Sequence, residues 1–213
     1  MTARRRQLFV VAAALAVVAA PLWLGGAGAS RDPRPAAMPS SAAEVLAGGD
    51  FVATRAMLDG VLGGDPVGTL RGIATDIHND DHGVRIRAIR ALGLYPSPQA
   101  REALKLTLIA GDPCRHDAAL PPIDQLYVRA ALEALGQIGD PEDVEWIVPC
   151  LKATSRDLRV AAARTLRDLG ASSAVCPLQH QGAVETVPQV QLAISEALRR
   201  WPPQICPRES SVR

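Results

Sequence analysis

The chain has few aromatic residues and no excess of charge of either sign. Phe, Trp and Tyr together make up 3% of its 213 residues, so a core must be packed from smaller apolar side chains. Lys and Arg total 23 against 22 Asp and Glu, and without Arg4, Arg5 and Arg6 the count is 20 against 22. Because counterion release rewards a strongly basic face, this balance argues against a nucleic-acid partner.

The sequence also lacks the local motifs of several enzyme classes. It contains no Gly-x-Ser-x-Gly nucleophile motif and no glycine-rich phosphate loop. Its four cysteines do not follow a metal-ligand spacing. These absences predict a protein that is not an enzyme and has no cofactor.

A short pattern recurs along the chain: a small or apolar residue, three further residues, a leucine, and often a glycine. The recurring leucines are Leu92, Leu135, Leu166 and Leu198, which lie 43, 31 and 32 residues apart. A period of this length is typical of stacked helical pairs. The sequence therefore predicts a repeat architecture in place of a single closed core.

Within the pattern, apolar residues recur at helical spacing. Val84, Ala88, Ala91 and Leu92 share one stripe of a helix, and Leu135 is expected in the core of a middle repeat. Prolines and glycines separate the helices. The predicted helices are Asp50–Leu62, Pro66–Ile77, Val84–Leu94, Pro98–Gly111, Ile123–Gly139, a segment from Asp140 to Leu151, Ser155–Leu169, Ser172–Leu178 and Val187–Trp201. They make four to five pairs with no strand.

The segments Val84–Gly93 and Val128–Pro141 resemble HEAT repeats of the short bacterial kind, and the resemblance extends from about Asp65 to Trp201. It implies an all-α fold, a right-handed α-solenoid with a concave surface lined by the second helices of the pairs. Such a surface implies a protein partner, whose identity the sequence does not contain.

The chain departs from the family's pattern in two places. Arg85 and Arg159 occupy the position of the family's first-helix arginine, seven residues before the leucine of the repeat. Arg129 is displaced from this position by one residue, and in the last repeat Gln191 stands in place of the arginine. A ladder of arginines along the stack is therefore expected to be interrupted. The long first interval is explained by an inserted loop over residues 111–122.

Two enzymatic groups are related to this family. Metal-dependent hydroxylases built from HEAT-like repeats bind iron through paired His-Glu dipeptides, and this sequence contains no His-Glu. Phycobilin lyase relatives act in the cytoplasm, which disagrees with the export signal described next. The resemblance therefore favours a non-catalytic scaffold.

The N-terminus has the order of an export signal. Three arginines precede an apolar run from Leu8 to Leu24, and the small residues Ala27-Gly28-Ala29 follow. We expect cleavage after Ala29 and a periplasmic or extracellular protein. Since 17 apolar residues are at the lower limit for a bilayer span, an uncleaved membrane anchor is the alternative. The predicted divisions are residues 1–29 signal peptide, 30–40 proline-rich linker, 41–205 solenoid and 206–213 C-terminal tail.

An even number of cysteines in an exported chain indicates disulfides. Cys176 and Cys206 occupy similar Val/Ile-Cys-Pro contexts in successive units, and Cys114 and Cys150 fall near the ends of neighbouring second helices. The favoured pairing is Cys114 with Cys150 and Cys176 with Cys206, while the other two pairings stay open.

One cluster has the residue types of a metal site. His78 and His82 are four residues apart and would share one face of a helix, where they and a carboxylate can bind Zn²⁺ or Cu²⁺. In the competing interpretation residues 79–81 form a turn and Asp81 caps the next helix. A metal-dependent envelope enzyme that uses these histidines is the alternative function.

The favoured function is an exported, non-catalytic scaffold that binds a protein. Trp146 is a candidate anchor, because the core face of its helix is taken by other residues and both Trp146 and Cys150 are expected to point away from it. Alternatively, Trp146 covers the neighbouring repeat. Arg156, Arg164 and Arg167 are further binding candidates, or a solvated face.

Overall fold

The computed structural model describes residues 41–48, 54–76, 78, 80–110, 114 and 121–207. The predicted signal peptide, the linker and most of the inserted loop lie outside these residues. The described part contains ten α-helices and no strand. They are α1 Ala42–Ala47, α2 Arg55–Leu62, α3 Pro66–Thr75, α4 His82–Leu92, α5 Pro98–Ile109, α6 Pro122–Ile138, α7 Val144–Ile147, α8 Arg156–Leu169, α9 Val175–Val184 and α10 Pro188–Leu198.

The helices are arranged in two layers. In the first layer α4 packs against α6, α6 against α8, and α8 against α10. The second layer contains α3, α5, the α7 segment and α9, and the last three of these each follow a first-layer helix in the chain. The described part is thus an α-solenoid of four helical pairs, α2/α3 to α8/α9, followed by α10, as the repeat period predicts.

Helix ends follow from local chemistry. Asp81 and Ser97 accept hydrogen bonds from backbone N–H groups three residues later, at 2.9 and 3.1 Å, and so begin α4 and α5. Gly139 and Gly170 end α6 and α8 in the left-handed conformation, with φ of 73° and 67°. These caps turn the chain at the points that separate successive helices.

Alanines and leucines share the core of the stack. Leu92, Leu135 and Leu166 are fully buried, which confirms the expectation for Leu135. Ala131 and Ala162, one turn before two of these leucines, are also fully buried. The small residues let neighbouring helices approach, and the leucines fill the space beside the crossings.

The segment after Asp140 is not the single helix that the sequence predicts. It consists of a 3-10 turn Pro141–Asp143, the short helix α7 and a second 3-10 turn Val148–Lys152. Pro149 has no N–H, so the α-helical hydrogen bonding cannot continue through it. The changed winding corrects the prediction for Cys150, which is completely buried and does not point away from the core.

Other boundaries differ by a few residues. α9 continues to Val184, beyond the predicted Leu178, while α10 stops at Leu198, before the predicted Trp201. No helix in the described ranges is both long and apolar enough to cross a membrane.

Candidate protein-binding surface

An open groove lies on the first-helix layer, between α6 and α8. Its volume is about 490 Å³. The α6 side carries side chains one turn apart, and the α8 side carries two of the arginines predicted for binding. The lining residues are Arg129, Glu133, Gln137, Asp157, Val160, Ala161, Arg164, Thr165, Arg167 and Asp168.

The groove has an apolar and small floor. Thr165 is buried and its hydroxyl donates a hydrogen bond of 2.9 Å to the carbonyl of Leu132, which joins α8 to α6 below the groove. A Cβ on Gly136 would come 3.5 Å from Thr165, so the two backbones approach closely here. Val160 and Ala161 complete the floor, and the charged side chains stand along the rims.

The carboxylates of the groove are engaged by arginines. Glu133 accepts from Arg90 at 3.1 Å and from Arg129 at 2.9 Å. Each of the other two carboxylates accepts a hydrogen bond from the arginine that precedes it in the sequence. Asp157 accepts from Arg156 at 3.0 Å, and Asp168 from Arg167 at 2.8 Å.

Arg164 differs from these arginines. It is exposed, and it has no hydrogen-bond or ion-pair partner among the described residues. By contrast, the hydrogen bond to Asp168 raises the pKa of Arg167, although burial opposes it. Arg164 thus presents a guanidinium whose five N–H donors are available to a ligand.

Side chains cover the two neighbouring interfaces of the same layer. Between α4 and α6, the side chain of Gln137 lies against Gly93, where a Cβ would overlap with its Oε1 atom. Between α8 and α10, Arg200 lies over Gly170 and donates to the carbonyl of Arg167 at 3.1 Å. At the α6/α8 interface a Cβ on Gly136 would meet Thr165 and Asp168 at 3.5 to 3.6 Å, which is ordinary contact distance, so no side chain overlaps that position.

The other predicted binding residues lie apart from the groove lining. Arg156 is exposed beside it, paired with Asp157. Trp146 belongs to α7 in the second layer, where it is half-buried against the core and the Nζ atom of Lys105 lies 5.4 Å from its ring centroid. This position agrees with the alternative that Trp146 covers the neighbouring repeat. Its role as an anchor stays a prediction.

The two histidines do not share a helix face. α4 begins at His82, whereas His78 lies in the preceding turn, and Asp81 caps α4 as the competing interpretation expects. The Nδ1 atom of His82 is 2.6 Å from the hydroxyl of Tyr127. Among the described residues no three His, Cys, Asp or Glu side chains come together as metal ligands.

The structure joins Cys114 to Cys150 and Cys176 to Cys206, the pairing that the sequence favours. The second bond holds the tail after α10 against α9, and Gln179 donates a hydrogen bond of 3.2 Å to the carbonyl of Gln204 in the same tail. The disulfides thus fix segments that helix stacking alone leaves at the edge of the solenoid.

The arginine ladder is interrupted as expected. Arg85 stacks on the ring of Tyr127, 4.4 Å from its centroid, and Arg159 forms an ion pair with Glu185 at 2.8 Å. The displaced Arg129 bonds within its own helix to Glu133 and lines the groove. The α6 side of the groove was not among the predicted binding residues, although the displacement of Arg129 by one residue from the repeat position is a signal for it.

Buried ion pairs connect successive units. Asp143 is fully buried between Arg101 and Lys105 of α5, with oxygen to nitrogen distances of 2.7 and 2.8 Å. Burial alone would raise the pKa of Asp143, but the hydrogen bonds from both cations outweigh it and lower that pKa. A shallow depression of about 390 Å³ beside the Arg159–Glu185 pair offers mainly groups that are already engaged.

The comparison with known families agrees with this architecture. A family model described as HEAT repeats matches residues 124–199, which contain α6 from its third residue and all of α7 to α10, and therefore both walls of the groove. Over these residues the chain is similar to HEAT repeats. No curated protein matches the chain. HEAT repeats form helical scaffolds that typically mediate protein interactions, and the groove lies in the matched repeats.

Proposed function

We propose that this protein is an exported, non-catalytic scaffold that binds another protein across the α6/α8 groove. HEAT repeats typically mediate protein interactions, and we assign this role to the α6/α8 groove of the chain. The groove is formed by two adjacent repeats, so its shape depends on their stacking and not on a flexible loop.

The observation that carries the proposal is the exposed guanidinium of Arg164, which has no partner among the described residues. It stands on the rim of the groove, exposed, while the neighbouring arginines bond to carboxylates. Guanidinium groups are enriched at interfaces because they combine charge with several directed donors. A partner that supplies an acceptor to Arg164 would gain this interaction without first breaking one inside the scaffold.

Two features support export. The N-terminal sequence has the order of basic residues, apolar run and small residues that signal peptidases accept. Each of the four cysteines has a disulfide partner in the structure, and such bonds persist in oxidising compartments. The segment from Met1 to Ala29 is proposed as the signal, and an uncleaved anchor is the alternative.

The binding proposal is tested by placing a photo-crosslinking amino acid at Gln137, on the groove, in the native cell envelope. We expect one protein to crosslink specifically, and we expect Arg164→Glu to abolish the adduct. The matched control is Arg71→Glu, which makes the same charge change at an exposed arginine of α3. An adduct that is unaffected by Arg164→Glu, or equally reduced by Arg71→Glu, would contradict the proposed surface.

Export is tested separately on the protein isolated from cells. We expect mass spectrometry to find an N-terminus at Ser30 and no free thiol in the four cysteines. An N-terminus upstream of Leu8 would favour the membrane anchor. Four free thiols in freshly trapped protein would contradict export.

A further inference from the structure

We infer that the partner binds the α6/α8 groove through an acidic, extended segment that carries two separated carboxylates, one of which pairs with Arg164. The inference rests on the proposed function, since it names the chemistry of the partner at that same groove. It follows from the balance of charges on the groove and from the shape of its floor.

The charges around the groove do not cancel. The lining itself carries three guanidiniums and three carboxylates, and two further guanidiniums, those of Arg90 and Arg156, bond to these carboxylates from beside the groove. The cations are Arg90, Arg129, Arg156, Arg164 and Arg167, and the anions are Glu133, Asp157 and Asp168. Within this set two positive charges are left over, and a further carboxylate, that of Glu196, acts on Arg167, which already bonds to Asp168. A complementary ligand therefore supplies acidic groups to the cations that lack a carboxylate of their own.

The two surplus charges have distinct locations. One is Arg164, which has no partner among the described residues. The other lies on the α6 rim, where Arg90 and Arg129 share the single carboxylate of Glu133. A ligand therefore meets one uncompensated cation on each wall, and two separate carboxylates match this arrangement better than one compact dianion.

The interspersed carboxylates argue for a polypeptide and against a phosphate or an anionic lipid surface. Glu133, Asp157 and Asp168 would repel a ligand that spreads negative charge over the whole groove. A peptide can place its acidic side chains at the two surplus cations and neutral residues between them. The small floor residues Val160, Ala161 and Thr165 leave room for its main chain.

The test uses synthetic peptides in which two glutamates are separated by two to six alanine or serine residues, each with a matched glutamine peptide. Binding to the purified, disulfide-intact protein is followed by amide chemical-shift changes. We expect at least one glutamate peptide to shift amides of α6 and α8, and its glutamine counterpart to bind about tenfold more weakly. Arg164→Glu is expected to weaken binding by about tenfold, and Arg71→Glu to leave it unchanged.

Three results would overturn the inference. They are equal binding of glutamate and glutamine peptides, no shifts on α6 and α8 with any glutamate peptide at millimolar concentration, and Arg164-dependent binding of phosphatidylglycerol vesicles without peptide binding. If the peptides fail while Arg164→Glu still removes the crosslinked adduct, the groove binds a protein of different chemistry. If that adduct is also insensitive to Arg164→Glu, the proposed function fails as well.

Discussion

Glu185 is expected to make the stability of the C-terminal repeats depend on pH. It lies between α9 and α10, and its side chain is almost fully buried against Arg159. The carboxylate accepts from Arg159 at 2.8 and 3.1 Å, from Gln181 at 3.2 Å, and from the backbone N–H groups of Thr186 and Val187 at 3.1 and 3.0 Å. Burial opposes ionisation, but these hydrogen bonds outweigh it and lower the pKa of Glu185 from 4.5 to about 2.

The magnitude follows from this pKa. The pKa of Glu185 falls from 4.5 to about 2 in the folded protein. Each tenfold change in an acid constant corresponds to about 1.4 kcal/mol of free energy. The carboxylate therefore contributes about 3 kcal/mol at pH 7. Because the folded pKa is below the unfolded one, this contribution is complete above pH 4.5 and is lost as the pH falls towards 2.

The experiment compares the wild type with Glu185→Gln, which keeps the shape but cannot ionise. Urea unfolding followed by circular dichroism gives the difference in free energy of unfolding at each pH. We expect this difference to shrink by about 2 kcal/mol between pH 7 and pH 3, since more than half of the contribution is lost over that range. The matched control is Glu145→Gln, the same substitution at an exposed glutamate with no partner among the described residues, measured over the same pH range. A difference for Glu185→Gln that stays constant with pH would refute this reasoning.

Three further sets of substitutions test the interactions that stabilise the solenoid. Leu135→Ala removes a fully buried side chain from a middle repeat and should cost about 2 to 5 kcal/mol in a reversible melt, with a cost below about 1 kcal/mol contradicting its core position. Asp143→Ala leaves two buried cations without their shared carboxylate and should cost about 3 kcal/mol in urea unfolding, whereas a neutral effect would show that the ion pair does not stabilise the α5 to α7 contact. Replacing both Cys176 and Cys206 by serine removes a disulfide between residues 30 apart and should lower the free energy of unfolding by about 2 to 4 kcal/mol. Amide exchange in the tail after α10 should become faster, and unchanged exchange would contradict a role of the disulfide in fixing the tail.

Much of the solenoid was accessible from the sequence because helix formation and its termination are local. Leu135 and Ala131 repeat at helical spacing, and Gly139 and Asp81 mark ends through their own backbone or side-chain chemistry. The repeat favoured the observed cysteine pairing, through the equivalent positions of Cys176 and Cys206 and the neighbouring helix ends near Cys114 and Cys150, but it left the other two pairings open. Prediction failed at Cys150, where Pro149 changes the helix winding and turns a side chain expected outside into the core.

The groove was not accessible in the same way. Arg164 and Arg167 were recognised as candidates, but their sequence does not show that Arg167 bonds to Asp168 while Arg164 has no partner. Gln137 and Arg200 press closely on glycines of the neighbouring interfaces, whereas at the α6/α8 interface the side chains stay 3.5 Å or more from the Cβ position of Gly136. The covering contacts join residues that are 44 apart (Gly93 and Gln137) and 33 apart (Arg167 and Arg200). The bond between Arg167 and Asp168 joins neighbours within α8, and only the folded geometry shows that it forms.

The amino-acid sequence by itself determined that the chain stacks helical pairs, since an apolar stripe of helical period can be buried only against the stripe of a neighbouring repeat. Tertiary structure decided where the stack is open and which charges remain available to a partner. The reason is physical: the first depends on residues within one helix, whereas the second depends on which long side chains from adjacent helices reach each other.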